Sequence, residues 1–328
     1  MHLSVLDQSP VLAGASAAEA LAATLELAQA ADRLGFHRYW VAEHHAMAAV
    51  ADPCPEILVG RIASLTQRIR VGTGGILLPY YSPLKVAESF RMLEALFPGR
   101  IDLGVGRAPG GDMRTAQALL RGGARFDPGA FPGQIEALRE YLAGGETDGV
   151  YATPAADTIP QLWLLGSSSY SGRLAAQLGL PYAFAHFISD AECAVANRSY
   201  RSGHAGPNRP HSLLAVFATC AETEEQARRL SMPVAIWRLL IRQGVNAPLV
   251  TLSDQQIDAL SPLERAQVDQ QLEQMVIGTP QQVRDRLQAL AARYEADELM
   301  VVSITRDYPS RLRCYELLAE AFGLQARI

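Results

Sequence analysis

Along this chain, short continuous apolar runs alternate with stretches in which apolar residues recur every three or four positions. The first run, Leu3 to Asp7, breaks at Gln8-Ser9-Pro10, the form of a buried strand followed by a loop. Ser16 with Glu19 then makes a capping box, Leu21, Leu25 and Ala28 share one face, and Gly35 supplies a left-handed stop, which predicts a helix. A second strand is predicted over 39–42, ending in Glu43-His44-His45, and Pro55 opens a helix with Ile57, Leu58, Ile62 and Leu65 turned inward.

Residues 69–112 repeat the alternation around unusual chemistry. A strand ends in Gly74-Gly75, Ser82-Pro83 starts a helix with Val86, Phe90, Leu93 and Phe97 on one face, and the next strand runs into Gly104-Val105-Gly106-Arg107. From 108 to 130 periodicity is lost in a glycine-rich stretch too long for an ordinary connection, which reads as a covering loop. A helix is predicted at about 131–143, with Ile135, Leu138 and Leu142 on one face, and a polar linker leads to a fifth strand over 162–166. Ser167-Ser168-Ser169 and a helix bearing Leu174 and Leu178 follow it. Strands six and seven are 182–186 and 213–219, and one helix from about 222 to 240 comes next. The stretch 241–278, rich in Gln and Asp and without a strand pattern, reads as a partly helical insertion. Thr279-Pro280-x-Gln282 starts a further helix carrying Val283, Leu287 and Leu290, strand eight is 298–304, and a last helix spans 309–322. Eight strands of continuous apolar character, each followed by a helix, predict an α/β fold: one (β/α)8 TIM barrel over 1–328 with an insertion after strand seven and a long loop after strand four.

Composition narrows the function without naming it. With 49% hydrophobic and 19% charged residues, the chain is of ordinary soluble type. A formal charge of −5 and no basic cluster leave no footprint for nucleic acid or an anionic membrane. No apolar stretch approaches the roughly 20 residues of a membrane span. Cys54, Cys193, Cys220 and Cys314 are scattered, which indicates neither a zinc site nor a disulfide framework and fits a cytoplasmic setting. In that setting the sequon at Asn197 is accidental.

The chemistry-bearing residues fall directly after predicted strand ends: Glu43, His44 and His45, then Gly74-Gly75, Arg107, the serines 167–169, and His186. In a parallel barrel those points meet on one rim, where active sites lie. Arg107 offers a fixed fork to phosphate, and hydroxyls with free N–H groups at a helix start hold the same group; the alternative is that the serines cap the helix and Arg107 meets a carboxylate. Gly104-x-Gly106-x-x-x-Gly110 lacks dinucleotide-binding spacing. Either of the adjacent histidines could donate or accept a proton, and for His45 holding the rim loops together is nearly as good a reading as catalysis. No third ligand makes them a metal site.

At these residues the sequence resembles the bacterial luciferase-like monooxygenases, flavin-dependent (β/α)8 barrels, and within them a non-luminescent branch. The matching stretches are 38–45, 68–112, 164–187 and 296–324. The resemblance implies that Arg107, Ser168, with Ser167 beside it, and Tyr170 or Ser171 bind the phosphate of FMN, that Gly74-Gly75 is a non-prolyl cis peptide behind the flavin ring, and that His44 is catalytic. It implies a monooxygenase that uses reduced FMN and O2 on a small organic substrate, supplied by a separate NAD(P)H:flavin reductase and assembled as a homodimer. Hydride transfer with a deazaflavin coenzyme, or a non-catalytic FMN-binding protein, are the competing readings. Gly106 stands where luciferase has a reactive cysteine, and Ser167 where it has an acidic residue, so the resemblance carries no implication of light emission from long-chain aldehydes.

Overall fold

The computed structural model describes residues 1–107, 112–120 and 127–325. Eight parallel strands, β1 (His2–Asp7), β2 (Arg38–Val41), β3 (Arg70–Leu77), β4 (Ile101–Gly106), β5 (Gln161–Gly166), β6 (Tyr182–Ala185), β7 (Ser212–Cys220) and β8 (Glu298–Val302), pair in sequence order. β8 pairs with β1 and β6 with β7, so the sheet closes into a (β/α)8 barrel. Burial on both faces explains the unbroken apolar runs: all nine residues of β7 are buried.

Helices α1 (Ala17–Leu34), α2 (Pro55–Leu65), α3 (Pro83–Leu96), α4 (Phe131–Leu142), α5 (Ser169–Leu178) and α6 (Cys193–Gly203) follow the first six strands. The boundaries follow local chemistry. Ser16 and Glu19 satisfy each other's backbone N–H at the start of α1, and Gly35 ends it at φ 86°. The sequence pattern offered no helix where α6 lies; it is mostly polar, with only Cys193, Ala196, Asn197 and Tyr200 buried. Burial of Asn197 makes the sequon unusable in the folded chain.

After β7 the structure departs from a single long helix over 222–240. Two helices form, α7 (Glu224–Leu230) and α8 (Met232–Arg242). They break at Ser231, whose hydroxyl donates to the Ala227 carbonyl, and Pro233 in the next turn lacks the N–H that would continue α7. The break lets α8 swing onto the barrel interior, where Met232, Val234 and Ala235 pack with Phe217 and Met300. A short helix (Asp254–Asp258) and α9 (Pro262–Leu272) follow. Val276–Gly278, in the stretch read as strandless, then pairs in parallel with the end of β7. α10 (Pro280–Tyr294) and α11 (Tyr308–Phe322) complete the ring.

Three smaller differences also have plain causes. Ile57 faces out at 72% exposure, because the inward stripe of α2 is Leu58, Val59, Ile62 and Ala63. Met113–Leu119 forms a helix inside the glycine-rich loop, capped by Asp112 on the Thr115 N–H. The polar linker holds a two-stranded hairpin, Glu146–Thr147 with Val150–Tyr151.

Candidate active site

The carboxyl ends of β1 to β6 surround one cavity of about 300 Å³. His44, Gly74, Gly75, Arg107, Ser167, Ser168, Tyr170 and Ser171 all line it, with Phe131, Phe187 and Ile188 among its apolar walls. Residues separated by up to 127 positions in sequence therefore meet because the strands are short and end on one rim. His186 does not join them. Its ring packs 5.5 Å from Tyr294 of α10, on the helix side of the barrel, because the residue just past β6 points away from the interior.

The β3 corner is backbone against backbone. The Gly74-Gly75 peptide is cis, and pairing with β4 slips by one residue between Gly74 and Ile76. A Cβ on Gly74 would lie 2.7 Å from Leu6 Cδ1, and one on Gly75 2.5 Å from the Gly104 carbonyl oxygen. Only glycines fit here, and the cavity gains a flat, side-chain-free wall.

The end of β2 assigns the two histidines different work. Glu43 is buried and accepts from the Leu77 N–H (2.8 Å), the Tyr81 hydroxyl (2.6 Å) and His45 Nε2 (2.7 Å). Burial raises the Glu43 pKa and these hydrogen bonds pull it back. The cluster ties β2 to β3, so His45 belongs to a rim brace. His44 instead faces the cavity. Its N–H donates to the Asp52 carbonyl at 3.1 Å, its Nδ1 is buried without a partner, and burial, helped by His45, pulls its pKa down to about 4. A neutral imidazole with an open nitrogen can take up or release a proton.

Across the cavity, Arg107 stacks its guanidinium 4.4 Å above the Tyr170 ring and meets no carboxylate among the described residues. It lies beside the first turn of α5, capped by Ser168. The Ser171 hydroxyl donates to the Ser168 carbonyl at 2.7 Å and lies 2.9 Å from the Tyr182 hydroxyl. The Ser169 N–H donates to the Glu192 carboxylate at 2.6 Å. A fork-shaped cation at a helix N-terminus is a site for an oxyanion.

Two contributors escaped the sequence reading. Gln8, just past β1, lines the cavity and leaves a buried Oε1 unpartnered; the rule that singled out the other strand ends could have found it. Asn246 accepts from the Ala48 N–H at 2.8 Å and donates to the Ala46 carbonyl at 2.7 Å, pinning the loop after His44-His45 across 200 positions. No local signal marks it. Among the described residues no cluster of His, Cys, Asp and Glu could hold a metal ion, and no helix is long and apolar enough to cross a membrane.

The family model described as luciferase-like monooxygenase matches residues 1–296. The luciferase-like monooxygenase of Escherichia coli (strain K12) is 37% identical, covering 96% of this chain and 95% of its own. The oxygenase component of the flavin-dependent trigonelline monooxygenase of Acinetobacter baylyi is 27% identical over 82% of this chain and 79% of its own. The crystal structure of apo-MsnO8 superposes with a TM-score of 0.92 at 42% identity, with 99% of each chain covered.

Proposed function

The chain belongs to the luciferase-like monooxygenase family, and from that premise we propose that it is the oxygenase of a two-component flavin system, working in the cytoplasm on a small organic substrate. One observation carries the choice of FMN: Arg107, which meets no carboxylate among the described residues, stands beside the start of α5 at a cavity that Gly74-Gly75 and His44 also line. Arg107, Ser167, Ser168 and Tyr170 would hold the phosphate, with Ser171 fixing the turn beneath them. Gly74 and Gly75 would lie behind the flavin ring, where the absence of Cβ atoms leaves a flat wall. Reduced FMN, when bound, supplies the electrons that activate O2.

The remaining work falls to the protein. His44 would hold or pass a proton at Nδ1, and Phe131, Phe187 and Ile188 would keep water from the reacting atoms. A separate NAD(P)H:flavin reductase is the proposed source of reduced flavin, in keeping with the name of the trigonelline relative as an oxygenase component. A homodimer is part of the same proposal, with exposed Ile57 on α2 and exposed Met92 and Leu96 on α3 as candidate contacts.

Anaerobic titration with reduced FMN, followed by rapid mixing with O2, tests the reading. Saturable binding and a transient absorbance on mixing are expected. Failure of reduced FMN to bind would overturn it, and tight binding without any reaction with O2 would favour a flavin carrier.

A further inference from the structure

The break at Ser231 brings α8 over the side of the barrel mouth formed by β7 and β8, where Trp237 and Leu239 pack against the interior cluster. Next to Trp237, Arg238 lies with its guanidinium 5.8 Å from the Phe217 ring. Phe217 in turn packs at 5.1 Å on Phe187, which lines the active-site cavity. Two aromatic rings thus separate this arginine from the site.

Its environment is unlike that of the buried arginines. Arg38 meets Asp102 and Glu298, Arg311 meets Asp7, and Arg91 donates to three carbonyls. Arg238 donates from Nη2 to the Gln274 Oε1 at 2.9 Å and has no carboxylate partner among the described residues. Its Nη1 is buried without a partner, and so is the Nε1 of Trp237 beside it. Burial, with a smaller part from the charge of Arg242, lowers the pKa of the guanidinium, which nevertheless stays protonated at neutral pH. A half-buried cation with no counter-ion is costly. An oxyanion at Nη1 would relieve that cost.

We propose that Arg238 forms an oxyanion subsite at the barrel mouth, and that the substrate is a small carboxylate whose apolar body runs past Phe217 and Phe187 towards the flavin site. The direction of the substrate rests on the functional reading above; the subsite itself does not. Its selectivity is for an apolar molecule with a charged end, and neutral analogues of the same shape are discriminated against. Such selectivity follows from leaving a half-buried cation unpaired when the charge is missing.

The test compares 6-phenylhexanoate with 6-phenylhexanamide, which share the apolar body and differ in charge. Each is titrated calorimetrically into the full-length protein, both FMN-loaded and flavin-free. The carboxylate is expected to bind at least ten-fold more tightly than the amide. Arg238→Met, which keeps an aliphatic cover on Phe217, is expected to remove that preference while amide and FMN affinities stay unchanged. Equal binding of acid and amide, binding of neither, or survival of the preference in Arg238→Met would each overturn the proposal. Because the preference is read without flavin, a failure of FMN to bind would count against the functional reading and leave the subsite standing.

Discussion

Arg107 shows how much a single residue depends on what does not neutralise it. Its guanidinium rests on Tyr170 and meets no carboxylate among the described residues, so its charge is available to a ligand. Arg107→Ala is expected to weaken reduced FMN by about ten-fold or more, since a charge-assisted hydrogen bond contributes roughly 1.5–3 kcal/mol, while the unfolding midpoint changes little; unchanged flavin affinity would place the phosphate elsewhere. His44 makes a second prediction, through its titration. With its pKa near 4 in the fold against about 6.5 in the unfolded chain, the unfolded state binds more protons between those values. This group's contribution to stability therefore falls as pH drops from 6.5 to 4. Asp52, raised to about 7 chiefly by burial, acts in the opposite direction over much of the same range, so the comparison must be between variants. His44→Gln should gain stability relative to the wild type as pH is lowered from 7 to 5, read from urea midpoints; parallel curves would contradict the assignment. Both residues were visible in the sequence as polar groups after strand ends, but their neighbours were not.

At the scale of elements, α5 and the loop after β2 carry the site, and each is governed by a residue from elsewhere. The Glu192 carboxylate accepts the Ser169 N–H, so an anion of the chain itself already sits where a phosphate would be drawn by the helix dipole. Glu192→Gln is expected to tighten FMN several-fold, most clearly at low ionic strength, and weaker or equal binding would show that the two anions do not compete. Asn246 holds the 46–48 loop by two hydrogen bonds, and Ala46 there has φ 53°. Asn246→Ala should lower kcat with FMN affinity intact, and Asn246→Asp, which keeps the acceptor but loses the donor, should fall between; equal loss of flavin binding would make the effect merely structural. The helices framing these loops were legible from capping boxes and apolar stripes. The break at Ser231 had a local signal in Pro233 that the helical pattern of 222–240 outweighed, and the direction of the second helix is set by its docking on the barrel interior.

At the scale of the molecule, the end of the barrel opposite the site is closed by charge. Arg38 bonds Asp102 at 2.7 Å and Glu298 at 3.1 Å, Arg70 also meets Asp102 at 2.6 Å, and Ser4, Gln161, Trp40 and His211 complete the cluster, so β1 to β5, β8 and the residue before β7 share one network. Burial alone would raise the Glu298 pKa, but the His211 hydrogen bond, the Arg38 charge and the Ser4 hydroxyl together pull it down to about 2. That stabilisation is present above the ordinary carboxylate pKa and is lost as pH falls towards 2. Arg38→Ala leaves two buried carboxylates short of a partner and is expected to cost about 3–5 kcal/mol in chemical denaturation, with a loss under 1 kcal/mol contradicting the network's role.

What the sequence determined by itself was the order of elements, the closed parallel architecture they imply, and the set of residues after each strand end, because periodicity, caps and turn residues act over a few positions. What tertiary structure alone decided was which of those residues face the cavity. His44 enters it while His45 is spent on Glu43, His186 turns out to Tyr294, and Arg238 arrives over Phe217 from a helix whose direction no local rule specifies. The reason is physical: side-chain direction at a strand's last residue, and the partners left to a buried charge, depend on contacts between segments far apart in the chain, which local propensity does not encode.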